Sequence, residues 1–309
     1  MSWNPAHPPV QTGRTIVVTG ATGGIGYFAA EQLAAAGADV VLASRSASKL
    51  RIAEETIRSH VPDASLRSVV IELGSRASLD DAAAALAALP RLDGIFLNGG
   101  TMALSRSTVT ADGLPALLGT HVVANVRLVA KVLPSLVASA AEHGGAGRIV
   151  HASTAFVHRF RFGLDDVRRL PLTGIGAYTK AKTATEVFAF ELDRRLRASQ
   201  RPVMSVVTHP GVGVDARTPE RVGIRDSTTP YRRNPYTPWA QGKDTAAWPA
   251  VRALTDPAAT GGDYYAPRDG TRGAPVVIDP PARTLNPEGD GADQVWRQLE
   301  ELAGVRISL

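Results

Sequence analysis

Residues 15–26 read TIVVTGATGGIG. The run Thr15–Gly20 is short, apolar and β-branched, as a buried strand requires, and it stops at a glycine. From Ile25 the chain turns to helix formers (IGYFAAEQLAAAG) and stops again at Gly37, a natural helix end. Between strand and helix, Gly20, Gly24 and Gly26 give the spacing G-x-x-x-G-x-G. Glycines allow a tight turn and a close backbone approach to a phosphate. The helix start offers free N–H groups and the positive end of a dipole. A glycine pattern alone is weak; between a first strand and a first helix it points to a dinucleotide diphosphate. Thr22 and Ile25 lie on the same turn and belong to the expected site.

Working outward, the alternation continues. Strand-like runs at 39–44, 66–73, 92–100, 147–154, 202–211 and 274–279 are separated by helical runs, including a long one over 112–142. Continuous apolar strands alternating with helices predict an α/β fold, a doubly wound parallel sheet of about seven strands with helices on both faces. No composition break divides it. Residues 1–13 with their prolines read as a flexible arm, and 14–309 as a single domain. Within that domain, residues 212–241 are rich in Pro, Arg, Thr and Tyr with little periodicity, which predicts a loop or lid on the substrate side.

The 309 residues are 44% hydrophobic and 20% charged, an ordinary globular balance. With no cysteine there is neither disulfide nor thiolate metal site, and nothing calls for a metal. The beginning lacks the apolar core of a signal peptide, and no uncharged apolar run is long enough to span a bilayer. Together these predict a cytoplasmic protein. The net charge of +5 is spread among acids without a basic tract, which argues against nucleic-acid binding.

An acidic residue at the end of the second strand would accept from the ribose 2′-hydroxyl of NAD. Here that strand ends in Ser44 and Arg45, and an arginine suits a 2′-phosphate, so NADP(H) is expected over NAD(H).

Further along, AYTKAK (177–182) places two lysines near one tyrosine. The run that follows is helical. Residues four apart share a helix face and residues two apart do not, so Lys182 sits beside Tyr178 while Lys180 points to solvent. An ammonium beside a phenol makes it more acidic, as a general acid or base needs. A surface ion-dipole pair would give the same spacing.

TGATGGIG, then LNGG (97–100), then Tyr178-x-x-x-Lys182, then HPG (209–211) occur in an order that resembles the short-chain dehydrogenase/reductase family, over residues 14–304. The long gap from Thr154 to Tyr178 is similar to the retinol-dehydrogenase-like and protochlorophyllide-reductase-like branch. The resemblance implies that Tyr178 passes a proton to or from a substrate oxygen while a nicotinamide carries hydride, and that Lys182 lowers the tyrosine pKa and binds the nicotinamide ribose. It places Thr154 where the family has a serine, and His121 where it has an asparagine that organises water. Glu72 and Leu73 would lie beside the adenine, Asn98, Gly99 and Gly100 along the adenosine, and Pro210 and Gly211 by the nicotinamide. Asp215 replaces a threonine.

The implied partner is a small, largely apolar carbonyl or alcohol. Phe156, Phe160, Phe162, Tyr231, Tyr236 and Trp239 are candidate pocket walls, and Arg159, Arg161, Arg232 and Arg233 candidate anion contacts. A homodimer or homotetramer would pair through the Tyr178 helix, with Val187 and Phe190 as contacts; a monomer also remains open. The alternatives to carbonyl chemistry are a cofactor-binding sensor with little turnover and a reductase of an activated C=C bond.

Overall fold

The computed structural model describes residues 3–101, 108–224 and 237–309. The chain runs β1 (Thr15–Thr19), α1 (Gly24–Ala35), β2 (Asp39–Ser44), α2 (Ala47–His60), β3 (Leu66–Val70), α3 (Arg76–Ala87) and β4 (Gly94–Leu97). A long helix, α4 (Ala116–His143), leads to β5 (Gly147–Ala152) and a short α5 (Phe156–Arg159). Then come α6 (Gly174–Ala198), β6 (Val203–Thr208), α7 (Lys243–Ala246), α8 (Trp248–Thr255), β7 (Tyr264–Pro267), β8 (Pro275–Val277), α9 (Ala282–Leu285) and α10 (Gly291–Ala303).

The strands form one sheet in the order β3-β2-β1-β4-β5-β6-β7-β8, with only the β7–β8 pair antiparallel. Eight strands stand where about seven were expected. The extra one is β7, four residues that follow Gly261-Gly262-Asp263 and end on Pro267, too short and too punctuated to read in advance.

Successive strand residues face opposite layers. Val17 and Ile95 join α3, α4, α6 and α10 in one core; Ile16, Val18 and Phe96 join α1, α2 and α8 in the other. Strand order reverses between β1 and β4, which opens a crevice at their carboxyl ends.

Helix α4 is long and apolar enough to cross a membrane by length and composition, but 61% of its most apolar stretch is buried against the sheet and neighbouring helices. It contains one π-turn, Gly119–Val123.

Two expectations need correction here. Among the described residues of the arm, Trp3 Nε1 donates to Thr255 Oγ1 at 2.9 Å and the Gln11 N–H to Ala36 O at 2.7 Å, so the segment is tied to the body. Val187 and Phe190 are 0% and 1% exposed. They belong to the chain's own core and are not free to form a subunit contact.

Candidate active site

The glycine turn is held by its own backbone. Gly20 and Gly24 adopt φ of +69° and +56°, the left-handed region that disfavours side chains. A Cβ on Gly26 would stand 2.4 Å from Gly20 O and 2.6 Å from Asn98 Nδ2, so only glycine lets α1 approach β1 this closely. The N-terminus of α1 has no side-chain cap, leaving its N–H groups facing the crevice. A phosphate would complete it.

Thr19, which the sequence reading passed over, fastens β1 to β4. Its Oγ1 accepts from Asn98 N–H at 3.0 Å and Gly99 N–H at 2.9 Å, and Asn98 Nδ2 donates to Thr19 O at 3.1 Å. Leu73 Cδ1 would lie 2.8 Å from a Cβ at Gly99, so a side chain there would displace the leucine. Glu72 is turned inward, accepting from Gly74 N–H at 3.0 Å. Thr22 Oγ1 and Ser44 Oγ are 3.0 Å apart, and Arg45 is exposed beside them at the end of β2.

A cleft of about 360 Å³ joins this turn to the C-terminal ends of β4, β5 and β6. Gly20, Gly24, Ile25, Asn98, Gly99, Gly100, His121, Tyr178, Lys182 and Pro210 all line it. Thr22, Gly26, Ser44, Arg45, Glu72, Leu73, Thr154 and Gly211 are not among its lining residues. Gly211 has φ +68° and packs against Thr271 O, where a Cβ would not fit.

Tyr178 stands in the second turn of α6, whose N-cap Thr173 accepts from Gly176 N–H at 3.1 Å. The Thr154 side chain stands close enough to its hydroxyl to favour the phenolate. The His121 ring meets the Tyr178 ring edge-on, with centroids 5.3 Å apart. His121 Nε2–H donates to Thr101 O at 2.8 Å, which leaves Nδ1 an acceptor without a partner among the described residues. Burial, helped by the charge of Lys182, lowers the His121 pKa to about 3, so the ring is neutral. The π-turn presents this side chain to the cleft.

Lys182 is 2% exposed, and its ammonium donates to Ala152 O at 2.6 Å. It lies 5.9 Å from the centre of the Tyr178 ring. Here the expected acidification of the phenol is not the net result. Burial raises Tyr178 to about 12, opposed by the Thr154 side chain, while the Lys182 ammonium is turned toward the strand carbonyl. Lys182 is itself lowered to about 8 by burial.

Lys180 is a second correction: it is 7% exposed, and its ammonium donates to Asp166 O and Arg169 O at 2.7 and 2.8 Å. The 160–173 connection folds over that helix face, which a local helix argument cannot foresee. Ser153, and not Thr154, is the hydroxyl residue of this strand end among the cleft-lining residues, and its Oγ donates to Glu186.

Lys243 was missed by the sequence reading. It lines the cleft, and its Cδ lies 3.9 Å from where a Cβ on Gly24 would stand. Its Nζ is 2.6 Å from Asp215 Oδ1, and its N–H donates to Thr218 Oγ1 at 2.9 Å. The ends of the 212–241 segment are drawn together here by a bridge between Gly213 and Gln241. No sequence signal marks a lone lysine after an irregular segment.

Phe156 and Phe160 are partly exposed, their rings 5.9 Å apart, and Trp239 is 60% exposed. Arg159 and Arg161 are exposed on the same connection. Tyr231, Arg232, Arg233 and Tyr236 lie outside the described residues. Trp296 stacks on Phe188 at 5.2 Å as a packing anchor.

Comparison with known proteins bears on this site. A family model, short chain dehydrogenase, matches residues 14–220. A short chain dehydrogenase/reductase of Colletotrichum higginsianum is 30% identical over 272 residues, 81% of this chain and 66% of that protein. This chain thus spans just under two thirds of that relative. A daunorubicin C-13 ketoreductase candidate of Streptomyces sp. (strain C5) is 35% identical over 269 residues, 83% of this chain and 84% of that one. A solved structure from Mycobacterium paratuberculosis shares the fold across 100% of both chains, with TM-score 0.77 and 24% identity.

Proposed function

The chain belongs to the short-chain dehydrogenase family, and on that footing we propose that it is an NADP(H)-dependent oxidoreductase interconverting a carbonyl and an alcohol. The observation that carries the reading is the meeting of Tyr178, Lys182 and His121 at one end of a cleft whose other end is the glycine turn, with Thr154 beside Tyr178.

When bound, the dinucleotide supplies or accepts the hydride. The protein's part is position and protons. The uncapped start of α1 (Gly24, Ile25, Gly26) and Lys243 would hold the diphosphate. Thr22, Ser44 and Arg45 would hold a 2′-phosphate, there being no carboxylate at the end of β2 to favour NAD(H). Glu72, Leu73, Asn98 and Gly99 would flank the adenosine, and Gly100, Pro210 and Gly211 the nicotinamide.

In the reduction direction Tyr178 donates its proton to the substrate oxygen, as a general acid. The Thr154 hydroxyl, beside Tyr178, would donate to that oxygen and orient it. The charge of Lys182 stabilises the phenolate left behind. Neutral His121, with Nδ1 open as an acceptor, serves to hold a water on the route that returns the proton. Oxidation is the reverse.

The test is NADPH oxidation on a panel of aldehydes and ketones. Tyr178→Phe should lose about two to four orders of magnitude in rate while still binding NADPH. A variant as fast as wild type would remove the mechanism.

A further inference from the structure

A turn made of glycines is soft, because glycine gives up more conformational freedom on ordering than any other residue. Gly20, Gly23 and Gly24 all line the cleft, and this backbone must keep the shape a diphosphate needs. Thr19 and Asn98 hold it on the sheet side. A second support comes from residues 218–224, none of which is among the cleft-lining residues.

This strap begins at Thr218, whose Oγ1 accepts from the N–H of Lys243, the lysine that lies over Gly24. It ends at Ile224, whose carbonyl oxygen lies 3.8 Å from where a Cβ on Gly23 would stand. Between these points it is fastened to α1 and α2. Arg221 Nε and Nη2 donate to Glu31 Oε2 and Oε1 of α1 at 2.7 and 2.8 Å, a bidentate pair. The Tyr27 hydroxyl donates to Glu31 Oε2 at 2.9 Å, and the Arg221 guanidinium stands 5.5 Å from the centre of the Phe28 ring. The two charged side chains are only 18% and 11% exposed, so water and salt screen the pair little. On α2, Thr56 Oγ1 donates to Val222 O at 2.7 Å. Gly223 adopts φ +74°, and a Cβ there would meet Ile52 at 2.5 Å, so the strap lies flat on that helix. Ile224 packs against the core that α1 and α2 share.

We propose that Arg221 and Glu31 are positioning residues for the dinucleotide: their ion pair latches residues 218–224 onto α1, and the latched strap backs Gly23 and Lys243 where they meet the diphosphate. The inference deepens the reading given above and rests on it. Glu31 lies seven residues along α1 from Gly24, about 10 Å at 1.5 Å per residue, too far to touch a diphosphate at the turn. Its effect on the cofactor passes through the strap. The arginine fork is what gives the latch a fixed geometry, since both of its donors meet one carboxylate. Helix α1 is also held to α7 independently, by Gln32 Nε2 donating to Asp244 O at 2.8 Å. Breaking the latch therefore frees the strap while the helices it lies on stay in place.

A site ordered in advance binds at lower cost, and the gain shows mainly as slower dissociation. The experiment is NADPH release from the full chain, followed by stopped-flow fluorescence with excess NADP+ as the chase. It needs no substrate. Glu31→Gln keeps the side chain's size and an acceptor for Tyr27. Glu31→Gln and Arg221→Gln should each speed release about tenfold, the equivalent of one charge-assisted hydrogen bond. The double variant should release no faster than either alone, because both changes undo the same latch. Thr56→Val removes the tie to Val222 O and keeps the ion pair; it should speed release about threefold. That variant decides the matter should the charge variants fail to fold.

Release at the wild-type rate in the folded variants overturns the proposal, since a pair serving stability alone would lower the urea midpoint and leave the release rate where it was. Additive effects in the double variant overturn it as well. A wild-type chain that binds no NADPH overturns the latch together with the cofactor reading. One that binds NADPH and releases it equally fast in every variant refutes only the latch.

Discussion

Replacing Lys243 by methionine separates a cofactor contact from a structural one. The Lys243–Asp215 pair is short, 2.6 Å, but the side chains are 29% and 53% exposed. An ion pair that open contributes only about 0.2–1 kcal/mol to stability. Methionine keeps the apolar stem that lies over Gly24, so the urea midpoint should scarcely move. A charge-assisted contact to a diphosphate is worth about 1.5–3 kcal/mol. That corresponds to a roughly tenfold to hundredfold rise in the NADPH dissociation constant, at tenfold per 1.4 kcal/mol. The assay is a fluorescence titration with NADPH beside a urea unfolding curve. Asp215→Asn, which frees Lys243 from its carboxylate, should tighten binding. An unchanged dissociation constant in Lys243→Met would refute the argument, as would a loss of stability large enough to account for the loss of binding.

Arg45→Ala should weaken NADPH about tenfold or more, by loss of a charged hydrogen bond, and leave NADH almost unaffected; equal losses for both would place the arginine away from the 2′-phosphate. The stability of the protein should fall on acidification. Histidine titrates at about 6.5 in an unfolded chain. Burial holds His121 and His151 down to about 3 and His209 down to about 4. Below about pH 6.5 the unfolded chain therefore takes up protons that the folded one refuses, at up to about 1.4 kcal/mol per pH unit for each histidine. Glu186, held up to about 7 by burial, works the other way from its ordinary 4.5 upward and offsets one of the three. Urea midpoints at pH 7 and pH 5 measure the balance; a protein more stable at pH 5 would contradict the buried neutral histidines.

Local pattern carried much of the fold because each strand had its own signal. TIVVT and the glycines after it are legible since backbone geometry at Gly20, Gly24 and Gly26 admits no other residue. Tyr178 and Lys182 are legible because helix periodicity alone puts them on one face. Where the sequence reading failed, the deciding contact came from far along the chain. Lys180 is buried by a connection that nothing in its own helix announces. Thr19 matters through two N–H groups just after β4, and Lys243 reaches the glycine turn beside the bridge of Gly213 to Gln241. The raised pKa of Tyr178 is of the same kind: spacing gave the neighbour, but burial set the net direction. Strand β7, four residues ending on Pro267, was below the length at which alternation can be read.

The most direct measurement is a crystal structure with NADPH bound. The account requires the nicotinamide against Pro210, the Lys182 ammonium on its ribose, and the Tyr178 hydroxyl and Thr154 Oγ1 converging on one point above the ring. A complex in which that hydroxyl faces solvent, or lies far from the reactive carbon, would contradict it.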